Sequence, residues 1–133
     1  MTTDPAVIIW SYVTHSRQYL GNALLALQNG EAGKAGELLW GSVVEALQAV
    51  AAYRNRPIRT HRDLKNFAIQ LARDLKDETI QKDFIVAESL HHNFYEVQQD
   101  TTDIAIVVST VQQLVTKLLS LMPPEANKQP ITV

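Results

Sequence analysis

The chain has 133 residues, a formal charge of −2 and no cysteine, and 46% of its residues are hydrophobic. This length suits one domain with a buried core, and the small net charge gives no overall attraction to nucleic acid or to an anionic membrane. The lack of cysteine excludes disulfides, thiolate catalysis and cysteine-ligated metal sites. The first residues show no secretory signal pattern, and we expect a cytoplasmic protein.

Apolar residues recur with a period near 3.6 along the whole chain, which predicts helices and no strands. The Asp4-Pro5 pair predicts the start of the first helix. Thr60, with Asp63 three positions later, forms a capping-box pattern that predicts the start of the third helix. Five helices are expected, from 5 to 28, from 31 to 54, from 61 to 73, from 77 past Phe94, and a fifth that is capped by Thr101 or Thr102 and stops at Pro123-Pro124.

Short connections between successive helices favour antiparallel neighbours. The sequence therefore predicts an all-α, up-and-down antiparallel bundle as a single domain over residues 1–123, followed by a disordered tail over 124–133. Alternating directions would place the loop 54–62 and the stretch 91–96 at the same end of the bundle.

That loop is rich in cations and predicts a phosphate-binding corner at the start of the third helix. Guanidinium groups donate paired hydrogen bonds that match phosphate, and a helix N-terminus adds backbone N–H groups. The alternative is a solvated loop, or ion pairs with neighbouring helices. The candidate phosphate-binding residues are Arg54, Arg56, Arg59, Arg62 and Lys65.

The fourth helix carries two adjacent histidines, in the run VAESLHHNFYE. His91 falls on the apolar stripe, so we expect it to be largely buried and His92 to be more exposed. Glu88 and His91 have the Glu-x-x-His spacing of di-iron bundles, but the chain has no second copy, so no metal and no cofactor is predicted. The candidate polar pocket or dimer seam comprises His91, His92, Asn93, Tyr95 and Glu96.

Several of these segments together resemble HEPN domains, a superfamily of small helical bundles. The run AGELLWGSVVEALQAVAAYRNRPIRTHRDLKNFAIQLARDL resembles their middle region, with Thr-His-x-x-Leu opening the third helix. The segments Trp40-Gly41-Ser42 and 90–96 (LHHNFYE) are most similar to the archaeal PaREP-type family.

The resemblance implies a dimeric module in a superfamily that includes ribonucleases of toxin–antitoxin and defence systems. Catalytic members carry an Arg-x(4–6)-His motif, which opens a later helix in active ribonucleases. Here the motif fits the loop before the third helix. It implies a candidate catalytic set of His61, Arg54, Asn55 and Arg56.

Three hypotheses follow, and whether the chain is an enzyme stays open. The first is a non-catalytic HEPN-like module, a cytoplasmic homodimer that binds a nucleotide, nucleic acid or a protein partner through its basic end, with no membrane contact. The second is a metal-independent ribonuclease with His61 or His91 as general acid or base. The third is a purely structural protein–protein adaptor.

Overall fold

Five helices follow one another in the structure, a computed structural model that describes residues 4–96 and 100–130, with the backbone alone over 92–96. No strand occurs in these ranges, and the predicted all-α bundle of five helices is confirmed. The helices are α1 Pro5–Gln28, α2 Ala32–Tyr53, α3 His61–Asp74, α4 Glu78–Glu96 and α5 Thr101–Leu119.

Acidic and hydroxyl side chains explain where three of the helices begin. Asp4 caps α1, and Thr60 with Asp63 forms the predicted capping box of α3. At α5 the predicted threonine cap is wrong. Asp100 is the cap, because its carboxylate accepts from the backbone N–H of Asp103 at 2.9 Å.

Three helices end in the same way, with one residue in the left-handed backbone region. These residues are Gly30 (φ 75°), Asn55 (φ 57°) and Lys76 (φ 53°). At the end of α2 the backbone N–H of Arg56 donates to the carbonyl of Ala51 at 2.8 Å, which is the closing hydrogen bond of a Schellman turn. Asn55 therefore has a structural role, since asparagine tolerates this backbone conformation better than most residues do.

Two serines join α1 to α2 in the interior. Ser16 and Ser42 are each 0% exposed, and each hydroxyl donates to the other residue's backbone carbonyl, at 2.8 and 2.9 Å. Around α2 lies an apolar core whose largest fully buried side chains include Leu39, Leu47, Leu71, Ile80, Phe84, Leu90, Leu114 and Leu118. α2 packs against all four other helices and is the central element.

The connection from α2 to α3 departs from the expected alternation of directions. After the turn at Asn55 the chain runs back along α2, and the Gln48 side chain reaches the Ile58 carbonyl at 3.5 Å. α3 then starts at His61, beside Trp40 in the middle of α2. Six residues later Phe67 lies under Arg56, which follows the end of α2, so α3 proceeds in the same direction as α2. The extended segment 56–60 makes this possible, because about five extended residues span roughly 17 Å.

The end of the described chain is ordered against α1. Residues Pro124–Asn127 form a short 3-10 helix, and Arg17 donates to the Asn127 carbonyl at 3.2 Å. The Asn127 amide in turn donates to the Leu119 carbonyl at 3.0 Å. These contacts involve residues 124–127 of the tail that was expected to be disordered, and the disorder of the tail stays a prediction. Residues 131–133 lie outside the described ranges.

Among the described helices, α5 alone is long and apolar enough to cross a membrane by length and composition. Its apolar stripe includes Ile104, Val111 and Leu118, which are buried against the bundle. This packing is compatible with a soluble protein, and the cytoplasmic location stays a prediction.

Candidate functional site

An aromatic cluster lies where α2, α3 and α4 meet. Trp40 on α2 is 6% exposed, and its ring centroid lies 5.9 Å from the His61 ring and 5.9 Å from the His91 ring. Phe84 packs edge-on against the same indole at 5.6 Å. Two histidines that the sequence assigned to different candidate sites therefore meet around one tryptophan.

Each imidazole in the cluster is held by a carboxylate from another helix. The Nε2 atom of His61 lies 2.7 Å from an oxygen of Glu88, whose side chain is 15% exposed. The Nδ1 atom of His91 lies 3.0 Å from an oxygen of Glu37. A carboxylate partner fixes the orientation of an imidazole and its tautomer. For His61 this leaves Nδ1 as the nitrogen for contact with a ligand, and the ring is accessible because its side chain is 54% exposed.

The Glu-x-x-His pair on α4 does not converge on a shared point. Glu88 turns to His61, with Lys65 also 3.9 Å away, whereas His91 turns to Glu37 on α2. The two side chains thus join α4 to two different helices and brace the cluster.

The expected polar pocket or dimer seam is described only at its first residue. The His91 side chain is 33% exposed, so it is half-buried rather than largely buried as expected. The side chains of His92, Asn93, Tyr95 and Glu96 lie outside the described part of the structure. Their grouping as a pocket or seam stays a prediction.

The basic residues are spread along the segment that returns from the end of α2. Arg54 and Arg56 follow the last turn of α2, roughly 20 Å along the helix axis from Trp40. The Arg56 guanidinium lies over the Phe67 ring, 5.5 Å from its centroid. Neither side chain forms a hydrogen bond or ion pair with His61 among the described contacts. The catalytic grouping of His61 with Arg54, Asn55 and Arg56 therefore stays a prediction.

Arg59 and Arg62 lie next to His61 in the chain and are exposed. Neither guanidinium lies within ion-pair distance of a carboxylate that the structure describes. The charge of Arg59 does act on Asp63, since it adds to the backbone hydrogen bonds that lower the pKa of that carboxyl. The predicted alternative of ion pairing with neighbouring helices holds for Lys65, whose ammonium is 3.9 Å from Glu88.

The N-terminus of α3 is already occupied by a carboxylate. Hydrogen bonds from the backbone N–H groups of Arg59 (3.0 Å) and Thr60 (3.2 Å) reach Asp63 and lower its pKa. Within the first turn of α3, the backbone N–H of Asp63 donates to the Thr60 hydroxyl at 3.0 Å. The capping box therefore places a carboxylate beside the corner that was expected to bind a phosphate.

Two surface cavities flank the extended segment 56–60, which runs back along α2 and is called the returning segment below. The Trp40 cavity, of about 280 Å³, is lined by Trp40, Val44, Gln48, Ile58, Arg59, Thr60, His61 and Leu64. The Tyr12 cavity, of about 430 Å³, is lined by Pro5, Ile8, Tyr12, Gln48, Ala52, Asn55, Arg56, Pro57, Ile58 and Arg59. Three residues line both cavities, namely Gln48, Ile58 and Arg59.

Three members of this region were not identified as site residues from the sequence. Trp40 was noted only within a family-like segment, and Glu37 and Tyr12 were not singled out. Glu37 and Trp40 are three residues apart on α2 and so share a helix face. This spacing identifies Glu37 as a partner for His91 only if that face of α2 is known to pack against α4.

Residues 11–115 match the protein-family model described as the archaeal PaREP1/PaREP8 family. Comparison with curated proteins and with solved structures finds no match. The matched range contains Trp40, both cluster histidines and the whole returning segment.

Proposed function

The chain belongs to the archaeal PaREP1/PaREP8 family, and we propose that it is a HEPN-like module that binds a phosphate-bearing ligand, a nucleotide or RNA. The proposed site is the Trp40 cavity, with Arg59 and Arg62 supplying charge and His61 supplying a hydrogen-bonding ring. Binding by a homodimer, as the resemblance implies, belongs to the same proposal.

One observation carries this proposal: a guanidinium beyond ion-pair distance of every described carboxylate and an accessible imidazole line the same cavity. Arg59 makes no ion pair with a described carboxylate, and His61 is 54% exposed although its Nε2 atom is bound to Glu88. Nearby carboxylates have other partners, because Asp63 is bound to backbone N–H groups and Glu88 to His61. A phosphate at Arg59 would share the guanidinium with the Asp63 carboxylate, whose pKa is lowered by these backbone hydrogen bonds and also by the charge of Arg59.

The test is the salt dependence of binding to a fluorescently labelled single-stranded RNA, followed by anisotropy. The logarithm of the binding constant falls against the logarithm of salt concentration with a slope of about −0.7 per phosphate contacted. We expect Arg59→Ala to weaken binding and to make this slope shallower by about 0.7.

Arg73→Ala is the matched control. Arg73 is also exposed and lies in the last turn of α3, so this variant removes the same charge outside the cavity. Equal effects of the two variants would mean that only net charge matters and would contradict a site at Arg59. Partner-protein binding that is indifferent to salt and to Arg59→Ala would favour the structural adaptor instead.

A second candidate function, a metal-independent ribonuclease, is favoured by the 2.7 Å hydrogen bond between His61 and Glu88. A carboxylate that orients an imidazole and stabilises its protonated form is a common arrangement for general acid–base catalysis. In this proposal Arg54 or Arg56 would stabilise charge on the phosphorane. They lie roughly 20 Å along α2 from Trp40 and its neighbour His61, so they would have to act from the second protomer, where dimerisation brings two such sites together.

Incubation of an end-labelled mixed RNA in EDTA distinguishes the two functions. Cleavage by the wild-type protein that is lost in His61→Ala and reduced in Glu88→Gln would establish the ribonuclease. RNA that stays intact but shifts on a native gel would leave the binding module as the function.

A further inference from the structure

We propose that the protein binds single-stranded RNA as a base–phosphate–base unit centred on Arg59, with one base in the Trp40 cavity and the next in the Tyr12 cavity. This inference rests on the proposed binding function and specifies its ligand. Adjacent nucleotides in a single strand are joined by one phosphate. A cation between two cavities therefore has the arrangement that such a step requires.

The first support is the position of Arg59. Both cavities are lined by Ile58 and Arg59, so the two spaces lie on either side of this dipeptide. The Arg59 guanidinium has no ion pair among the described residues. Arg56 lines the Tyr12 cavity but not the Trp40 cavity, and its guanidinium lies over the Phe67 ring at 5.5 Å, so Arg59 is the arginine that borders both spaces.

The second support is that the segment carrying Arg59 is anchored before any ligand arrives. The Arg56 N–H donates to the Ala51 carbonyl at 2.8 Å, and the Ile58 carbonyl accepts from the Gln48 side chain at 3.5 Å. The Arg59 N–H donates to Asp63 at 3.0 Å. A segment fixed at these points loses little conformational freedom on binding, which favours affinity.

The third support is the chemistry of the Tyr12 cavity, which phosphate binding alone does not explain. Its wall includes the Tyr12 ring, which contacts no other aromatic ring among the described residues, and Ile8, which is 39% exposed. Pro5 and Pro57 add further apolar surface. Proteins that bind single strands combine a positive groove with aromatic rings on which bases stack. At about 430 Å³ the cavity is near the small end of ligand sites, which suits one base.

The experiment compares two labelled probes by anisotropy, a six-nucleotide oligoadenylate and an abasic ribose-phosphate chain of the same length. We expect Tyr12→Leu to weaken oligoadenylate binding about 10-fold through lost stacking and to leave abasic binding unchanged. Tyr12→Phe keeps the ring and should bind both probes as the wild type does. Arg59→Ala should weaken both probes.

Two further variants keep the test decisive. Ala52→Leu extends a side chain into the Tyr12 cavity from α2 and should weaken oligoadenylate binding selectively, even if Tyr12→Leu impairs folding. Tyr53→Leu changes a tyrosine that is 44% exposed and does not line either cavity, and it should have no effect.

The outcomes separate this inference from the proposed function. Wild-type oligoadenylate affinity in folded Tyr12→Leu and Ala52→Leu, together with weaker binding by Arg59→Ala, would overturn the two-base arrangement and leave the phosphate site standing. An equal loss for both probes in Tyr12→Leu would also overturn it. Failure of the wild-type protein to bind either probe would overturn both proposals.

Discussion

The reciprocal serine pair between α1 and α2 allows a quantitative prediction. Ser16 and Ser42 each donate to the other's backbone carbonyl, at 2.8 and 2.9 Å, while their hydroxyl oxygens are 3.3 Å apart. Replacing one serine with alanine removes that residue's donor and leaves the other hydroxyl bonded to its carbonyl. No buried donor loses its acceptor, so the large penalty of an unsatisfied group does not arise.

Each single variant should therefore lose about the net value of one buried hydrogen bond, roughly 1 kcal/mol. The double variant should lose roughly 2 kcal/mol, because the two main bonds are separate. Only the contact between the hydroxyl oxygens couples the sites, and we expect a coupling energy of a few tenths of a kcal/mol. At about 2.1 cal/mol/K per residue of unfolding entropy, each single variant of this 133-residue chain should melt about 4 °C lower.

Urea denaturation of the wild type, both single variants and the double variant measures these energies as a double-mutant cycle. Ser11→Ala, an exposed change on the same helix, is the control and should stay within about 0.5 kcal/mol of the wild type. A coupling energy of about 1 kcal/mol or more would refute the reasoning, since it would mean that the hydroxyls bond mainly to each other.

Three further predictions concern charge and helix propensity. A hydrogen bond from Lys117 lowers the pKa of Asp77 to about 2. Ionised Asp77 therefore stabilises the folded protein above the ordinary pKa near 4, and this contribution is lost as the pH falls toward 2. Asp77→Asn should remove that part of the acid sensitivity in urea titrations from pH 2 to 5, and an unchanged profile would contradict this. Burial raises the pKa of Glu45, so the ionised form of Glu45 destabilises the folded protein. Glu45→Gln should therefore increase the free energy of unfolding at pH 7 but not at pH 4. Equal effects at both pH values would argue against a buried charge. Gly21→Ala adds a methyl group with no atom within 4 Å and should stabilise α1 by about 1 kcal/mol. Gly41→Ala should stabilise the protein less, because a tyrosine ring lies 3.1 Å from the new atom. A larger rise in melting temperature for Gly41→Ala would refute the steric argument.

The helices were predictable because their signals are local. The period of apolar residues, the Asp4-Pro5 start and the Thr60–Asp63 capping box depend only on residues a few positions apart, and the structure confirms them. The cap of α5 was misassigned because aspartate and threonine stand side by side there, and both residue types favour the position before a helix.

The site was less predictable because its contacts are distant in sequence. His61 and Glu88 are 27 residues apart, and His91 and Glu37 are 54 apart. We expected the loop 54–62 to lie near the stretch 91–96, and His61 and His91 do lie on the same tryptophan, Trp40. The reason differs from the expected alternation of helix directions. The returning segment carries His61 to Trp40, and no local pattern specifies that an extended segment will run back along the preceding helix.

The separation of these contacts along the chain also has a consequence for the order of folding. The α1–α2 pair closes over a short turn, while the cluster around Trp40 requires α2, α3 and α4 to be in place together. Since longer loops are entropically harder to close, we expect α1 and α2 to associate early and the cluster to form late. Hydrogen exchange should then show weaker protection around His61 than in the middle of α2. Only molecules that have completed folding would display the proposed binding surface.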